Sequence, residues 1–241
     1  MTDATTRRPA TRMPWLTATV VAIKPETATA KTFRLALPEP SPHRAGQHYI
    51  IRLTAPDGYT ASRSYSVASA PDGTNDIELT IERLPAGEVS MFMHDDVVVG
   101  DEIEVRGPIG EWFVWDGDTR ALLVGGGSGV VPLMAMLRLA RRTGRTDLLH
   151  LVVSARRPGD LYYADEIGGP ETTILYTRET PPSFPRAAGR IAAADIPPPF
   201  LAGTTAYVCG SPAFADAASN LLVDLGLPSP QIRVERFGPT G

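Results

Sequence analysis

Arg63-Ser64-Tyr65-Ser66-Val67-Ala68-Ser69 sets a cation, a flat aromatic ring and several small hydroxyls within a few residues of one another. As a strand, its alternation predicts Arg63, Tyr65, Val67 and Ser69 on one face, with Ser64, Ser66 and Ala68 on the other. That grouping suits a ligand with a phosphate at one end and a planar ring at the other. The fork of Arg63 can hold phosphate oxygens. Tyr65 can stack on a ring. Ser66 can offer a hydroxyl or its backbone N–H to a ring nitrogen. The same residues also make an ordinary edge strand.

Three further stretches carry chemistry of a related kind. Gly87-Glu88-Val89-Ser90 precedes a short helix, where a glycine allows close backbone approach and free N–H groups suit a phosphate. Gly125-Gly126-Gly127-Ser128-Gly129 follows an apolar run and leads into Val130-Val131-Pro132. This is not the G-x-G-x-x-G fingerprint, but it places flexible backbone at a strand-to-helix turn, and Pro132 fits a first helical turn where its missing N–H costs nothing. Cys209-Gly210-Ser211-Pro212 repeats the arrangement, with the cysteine at the end of its strand. A plain helix entry and a buried small residue account for the first and last of these equally well.

The elements that must position these residues fall into two sets. Short strands are predicted at 17–23, 32–37, 48–53, 62–69, 77–83 and 102–106, interrupted by a helix at 89–96. Regular short strands with Pro, Gly and Asp between them predict an antiparallel barrel over 15–110. A connector over 111–119 carries Trp112, Phe113 and Trp115, which suit packing between domains but fit simple core or interface packing better. From 120 to 241, strands at 121–124, 148–154, 172–177, 205–208 and 232–235 alternate with helices at 133–142, 161–167 and 213–225. This pattern predicts an α/β domain with a parallel sheet and ligands at the carboxyl ends of its strands.

Composition excludes several alternatives. A net charge of −4 over 241 residues gives no reason to expect nucleic acid as a partner. One cysteine rules out an internal disulfide framework and an all-cysteine iron–sulfur cluster. The four histidines, His43, His48, His94 and His150, lack metal-ligand spacing and are expected at the surface or as caps. No run is long and apolar enough for a transmembrane helix, so no membrane is expected as a partner. Residues 1–14 read as a polar, disordered tail, because Arg7-Arg8 lacks the apolar run of an export signal. A cytoplasmic location is expected.

Taken in order, Arg63–Ser66, Gly87–Ser90, Gly125–Pro132 and Cys209–Pro212 resemble the ferredoxin–NADP reductase superfamily over residues 15–241. The resemblance implies a flavin-binding antiparallel barrel followed by a parallel α/β domain for NADP or NAD. It implies that Arg63 holds the flavin pyrophosphate, Tyr65 stacks on the isoalloxazine and Ser66 lies near N5. Gly87 and Ser90 match a second pyrophosphate contact, which points to FAD. Gly125, Gly127, Gly129 and Pro132 match the nicotinamide nucleotide loop, and Cys209 and Gly210 its nicotinamide side. The full cofactor-binding expectation adds Ser64, Val89, Ser128, Ser154 and Arg156. Ser66, Cys209 and Phe237 are expected nearest the reacting atoms, with Phe237 covering the flavin. Glu82 stands where many relatives have a basic residue.

The implied activity is hydride transfer from NAD(P)H to FAD, then electron transfer to a separate acceptor protein such as a ferredoxin, flavodoxin, haem protein or oxygenase component. The alternative is a flavin-holding relay subunit of a larger dehydrogenase that never meets free NAD(P)H. Ser154-Ala155-Arg156-Arg157 has no acidic residue before Asp160, and this leans to NADPH.

Overall fold

The computed structural model describes residues 13–238. Its first half forms β1 (Leu16–Thr27), β2 (Ala30–Ala36), β3 (His48–Thr54), β4 (Thr60–Ser66), β5 (Asp76–Glu82), α1 (Glu88–Asp95) and β6 (Glu102–Ile109). The strands pair antiparallel in the order β4-β3-β6-β1-β2-β5. An isolated bridge, Val67↔Leu79, links the chain just beyond β4 to β5 at the opposite edge and so curls the sheet into a barrel. Alternating apolar residues, among them Phe33, Leu35, Tyr49, Ile51, Ile77, Leu79 and Ile81, fill the interior.

The second half forms β7 (Ala121–Gly126), α2 (Val130–Thr143), β8 (Leu149–Ala155), β9 (Thr172–Tyr176), β10 (Thr205–Gly210), α3 (Pro212–Asp224) and β11 (Ile232–Arg236). All pairings are parallel, in the order β11-β10-β7-β8-β9. The chain starts in the middle strand, works outward to β9, then returns to the other side of β7 for β10 and β11. The order therefore reverses between β7 and β10, and the crevice beyond the carboxyl ends of those two strands is where such sheets bind ligands. Near-continuous apolar runs, Ala121–Val124 and Leu151–Val153, follow from burial on both faces.

One buried cluster joins the halves. Ala30, Ala45 and Ala68 from the barrel pack with Phe113 and Trp115 of the connector and with the apolar face of α2. A closed ring of hydrogen bonds crosses the same seam. Tyr163 Oη donates to Thr80 Oγ1 at 2.6 Å, Thr80 and Thr32 hydroxyls meet at 2.7 Å, Thr32 donates to Glu26 at 2.9 Å, and Glu26 accepts the Tyr163 backbone N–H at 3.2 Å. Each group is buried and partnered, as a polar ring in a dry interface requires.

Several sequence expectations change here. No helix spans 161–167; the segment is a series of turns. Tyr163 has φ +55°, which a helix cannot accommodate, and its side chain is committed to Thr80. The strand predicted over 62–69 ends at Ser66. Ser66, Val67 and Ala68 are buried in succession, so strict alternation of faces stops there. Val67 N–H instead binds Gln47 O, and Ala68 N–H binds Glu78 O. Pro132 is the third residue of α2 rather than its first. Trp112 is 62% exposed, while Phe113 and Trp115 pack as expected. His43 is buried, held by Ser41 and the Ser69 carbonyl; burial lowers its pKa, against the hydrogen bond to Ser69 and the charge of Asp72. Residues 1–12 of the expected tail lie outside the described residues.

Candidate functional site

β4 is an edge strand, so one side of its backbone stays free while the other is zipped to β3 through Ile51↔Arg63, Ile50↔Ser64, Tyr49↔Tyr65 and His48↔Ser66. Arg63 is exposed, and among the described residues Nη1 donates only to the adjacent Ser62 carbonyl at 2.8 Å. Ser64 is exposed beside it. Tyr65 is half-buried, and burial pushes its phenol up to about 12, with the Arg63 charge pulling the other way. Its ring is therefore a neutral stacking surface at any ordinary pH. Ser66 is 6% exposed, at the point where the chain turns into the interdomain cluster.

The turn before α1 is built by Ser90. Its hydroxyl donates to Gly87 O at 3.1 Å and accepts Leu84 N–H at 3.2 Å. A Cβ on Gly87 would stand 2.5 Å from that hydroxyl, so the turn requires glycine. Ser90 thus shapes the cradle, and the N–H groups of the first helical turn remain for a ligand. Val89 is a core plug, 1% exposed.

The glycine turn after β7 sits at the switch point. Gly127 has φ +57° and open space where a side chain would project. A Cβ on Gly129 would collide with the carbonyl oxygen of Cys209, and one on Gly126 or Gly210 would strike the Phe214 ring. Gly125 is similarly crowded by Val130 and Leu133. Glycine therefore lets the start of α2 approach the end of β10 backbone to backbone. Ser128 is half-buried, and Pro132 is buried in the first turn of α2. A helix entry of this kind is suited to a pyrophosphate, although the Val130 N–H is already taken by the Gly127 carbonyl.

Cys209 is fully buried at the carboxyl end of β10. Burial pushes its thiol well above the ordinary value, and Glu235 adds to the push. Glu235 was missed by sequence reasoning. It pairs in register with Cys209 on β11, and burial raises its carboxyl to about 7. Its neighbours in the chain, Val234 and Arg236, gave no signal of this. Phe237 follows, anchored by its N–H to Gly210 O at 2.8 Å and packed on the interdomain cluster that contains Cys209 and Ala68. Cys209 and Ala68, two residues beyond Ser66, thus belong to one buried cluster, and Phe237 packs against it.

Ser154 is buried at the end of β8, and Arg156 is exposed just beyond. Asp160 pairs with both Arg156 (3.2 Å) and Arg157 (3.7 Å). Arg178, also missed, is brought alongside because its N–H binds Arg156 O at 2.9 Å. No cluster of metal-binding side chains occurs among the described residues.

The donor set fits FAD on one side of the seam and a nicotinamide dinucleotide on the other: a free guanidinium, a neutral aromatic, two glycine-gated helix entries and an open left-handed glycine. Comparison with known proteins agrees. Residues 17–114 match the oxidoreductase FAD-binding domain and 123–220 the oxidoreductase NAD-binding domain. The chain is 32% identical over 233 residues to the reductase component of propane 2-monooxygenase from Rhodococcus jostii strain RHA1, covering 90% of this chain and 62% of that one. It is 30% identical to the ferredoxin–NAD(P)+ reductase component of the naphthalene 1,2-dioxygenase/salicylate 5-hydroxylase systems of Ralstonia sp, covering 92% and 69%. The chain therefore spans about two thirds of the length of these relatives. In fold it is similar to the FAD/NAD-binding domain of a nitric oxide dioxygenase from Vibrio cholerae O1 biovar El Tor, with TM-score 0.82, 22% identity and coverage of 93% and 99%. The chain belongs to the ferredoxin–NADP reductase superfamily, as an oxidoreductase FAD-binding domain joined to an oxidoreductase NAD-binding domain.

Proposed function

We propose that the chain is an FAD-dependent NAD(P)H oxidoreductase that takes a hydride from the nicotinamide and delivers electrons to a separate acceptor protein, as the reductase of an oxygenase-type system. The observation that carries this reading is the seam itself, where Cys209, Phe237 and the continuation of the Arg63–Ser66 strand enter one buried cluster at the switch point of the parallel sheet. Bound FAD supplies the hydride acceptor and the means to pass on single electrons.

The chain's own residues do the positioning. Arg63 and the first turn of α1 hold phosphate charge, Tyr65 carries the ring, and Ser66 presents a hydroxyl at the ring's edge. Gly125, Gly127, Ser128 and Gly129, with Pro132, let the dinucleotide backbone lie close to the start of α2. Cys209 lines the nicotinamide side as a neutral thiol. Phe237 closes the seam against water. Glu235, poised near neutrality, can hold or release a proton beside Cys209. Arg156, Arg157 and Arg178 gather beyond the end of β8, where a dinucleotide fold meets the adenosine ribose, and Asp160 is shared between two of them, so the lean is to NADPH. A cytoplasmic location, where NAD(P)H is available, accords with the lone buried thiol.

The relay-subunit alternative is not favoured, because the glycine cradle on the nicotinamide side is complete. Anaerobic titration of flavin-loaded protein tests the reading. Bleaching of the flavin spectrum by NADH or NADPH is the expected result, and a flavin that neither donor reduces would overturn it.

A further inference from the structure

Arg138 lies on α2 about two turns from the glycine turn. Its side chain spans the two domains. Nε and Nη2 donate to the two carboxylate oxygens of Glu166 at 2.8 and 2.7 Å, within the nucleotide domain. Nη1 crosses to the barrel, donating to Glu78 Oε2 on β5 at 2.6 Å and to the carbonyl oxygen of Ala68 at 3.0 Å. Four of its five N–H groups are thereby engaged. The guanidinium carbon lies 5.2 Å from the centre of the Tyr163 ring, the same tyrosine that binds Thr80 on β5.

The identity of the barrel contacts matters. Ala68 is two residues beyond Ser66 on the same strand path, and its own N–H binds Glu78 O at 2.7 Å. Glu78 N–H in turn binds Ser69 Oγ at 3.1 Å. The segment leaving Ser66 is therefore held by β5 and by the helix that opens at the glycine turn. A lysine in place of Arg138 offers one point charge and cannot bridge Glu166, Glu78 and a carbonyl in a fixed plane.

Resting on the proposed function, we propose that Arg138 is a positioning residue: it clamps the Ser66–Ala68 segment to α2 and so sets the gap between the hydride donor and the flavin ring. Hydride transfer depends steeply on that gap, and a misplacement of about 1 Å is worth on the order of 100-fold in rate. A residue that only glued the domains together would change stability and leave the gap alone.

The test uses the FAD-loaded full chain, reduced anaerobically in a stopped-flow instrument by nicotinamide donors carrying hydrogen or deuterium at the transferred position. Two variants are compared, Arg138→Lys and the milder Glu78→Gln, which leaves the Glu166 pair in place. In both, the limiting reduction rate is expected to fall about tenfold. Flavin occupancy and donor Kd should stay within about twofold, and the primary isotope effect should become more temperature-dependent. Rates and isotope effects equal to the parent's, with only a lower Tm, would overturn the proposal. So would loss of flavin from both variants, which would assign Arg138 a purely structural role. A parent protein that neither NADH nor NADPH reduces would overturn the functional reading and this proposal with it. A parent that is reduced beside unaltered variants overturns the proposal alone.

Discussion

Cys209 and Glu235 face each other in register across β10 and β11, and the protein holds both in their neutral forms more firmly than water would. A carboxyl whose folded pKa is raised binds its proton more tightly in the native state than in the unfolded chain. Its contribution to stability is fully present below the unfolded value of 4.5 and is lost as pH rises through about 7. Glu235→Gln should therefore stabilise the protein at pH 8, by on the order of 2 kcal/mol after discounting for partial exposure, and change little at pH 4.5. Thermal unfolding of parent and variant at both pH values checks this. Equal Tm differences at the two pH values would mean that Glu235 titrates normally.

Arg63→Ala should weaken FAD binding by ~1.5–3 kcal/mol, the range for a hydrogen bond to a charged group. The motivation is its exposed guanidinium, which among the described residues reaches only the neighbouring carbonyl of Ser62. Flavin fluorescence titration of the apoprotein reads the loss directly. An affinity equal to the parent's would make Arg63 an ordinary surface residue.

Phe237→Ser should raise affinity for the nicotinamide cofactor and speed reoxidation of the flavin by oxygen, because the aromatic plugs the seam beside Gly210. Stacking of an aromatic there is worth about 0.5–1.5 kcal/mol beyond its buried area. Cys209→Ala should keep flavin binding and slow flavin reduction, since it only disturbs ring positioning. Stopped-flow rates unchanged in both variants at full flavin occupancy would place the two residues outside the site.

On the proposed reading Arg156 and Arg157 would meet a 2′-phosphate, and Asp160 pairs with both. Asp160→Asn should raise kcat/KM for NADPH by about 5–10-fold relative to NADH, the gain of a freed charge-assisted contact of ~1–1.5 kcal/mol. Steady-state kinetics with both donors decide it. A parallel change for the two donors would remove these arginines from cofactor choice.

Local chemistry made much of the fold readable. Short alternating runs give the barrel strands, apolar runs followed by glycine give β7 and its turn, and the order of the glycine and arginine motifs gives the two domains. What stayed hidden depends on groups distant in sequence. Glu235 has no unusual neighbours in the chain, and only burial on β11 beside β10 raises its pKa. Tyr163 sits in a stretch with helical composition, yet the hydroxyl of Thr80, 83 residues earlier, fixes it in a left-handed conformation. Ser66 was legible as a strand residue, but the end of its strand was not, because Gln47 and Glu78 capture the next two N–H groups.

The ring of Tyr163, Thr80, Thr32 and Glu26 has a bearing on how this molecule can be cut and recombined. Separating the two halves would take the Tyr163 N–H from Glu26, which is only 3% exposed in the intact fold, and would take the Thr80 hydroxyl from Tyr163. Each fragment would exchange paired polar groups for hydrated ones and expose the apolar surface buried around them. The two halves thus form a single transplantable cassette, to be exchanged between larger assemblies whole, while chimaeras that swap one half must import the matching tyrosine or glutamate with it.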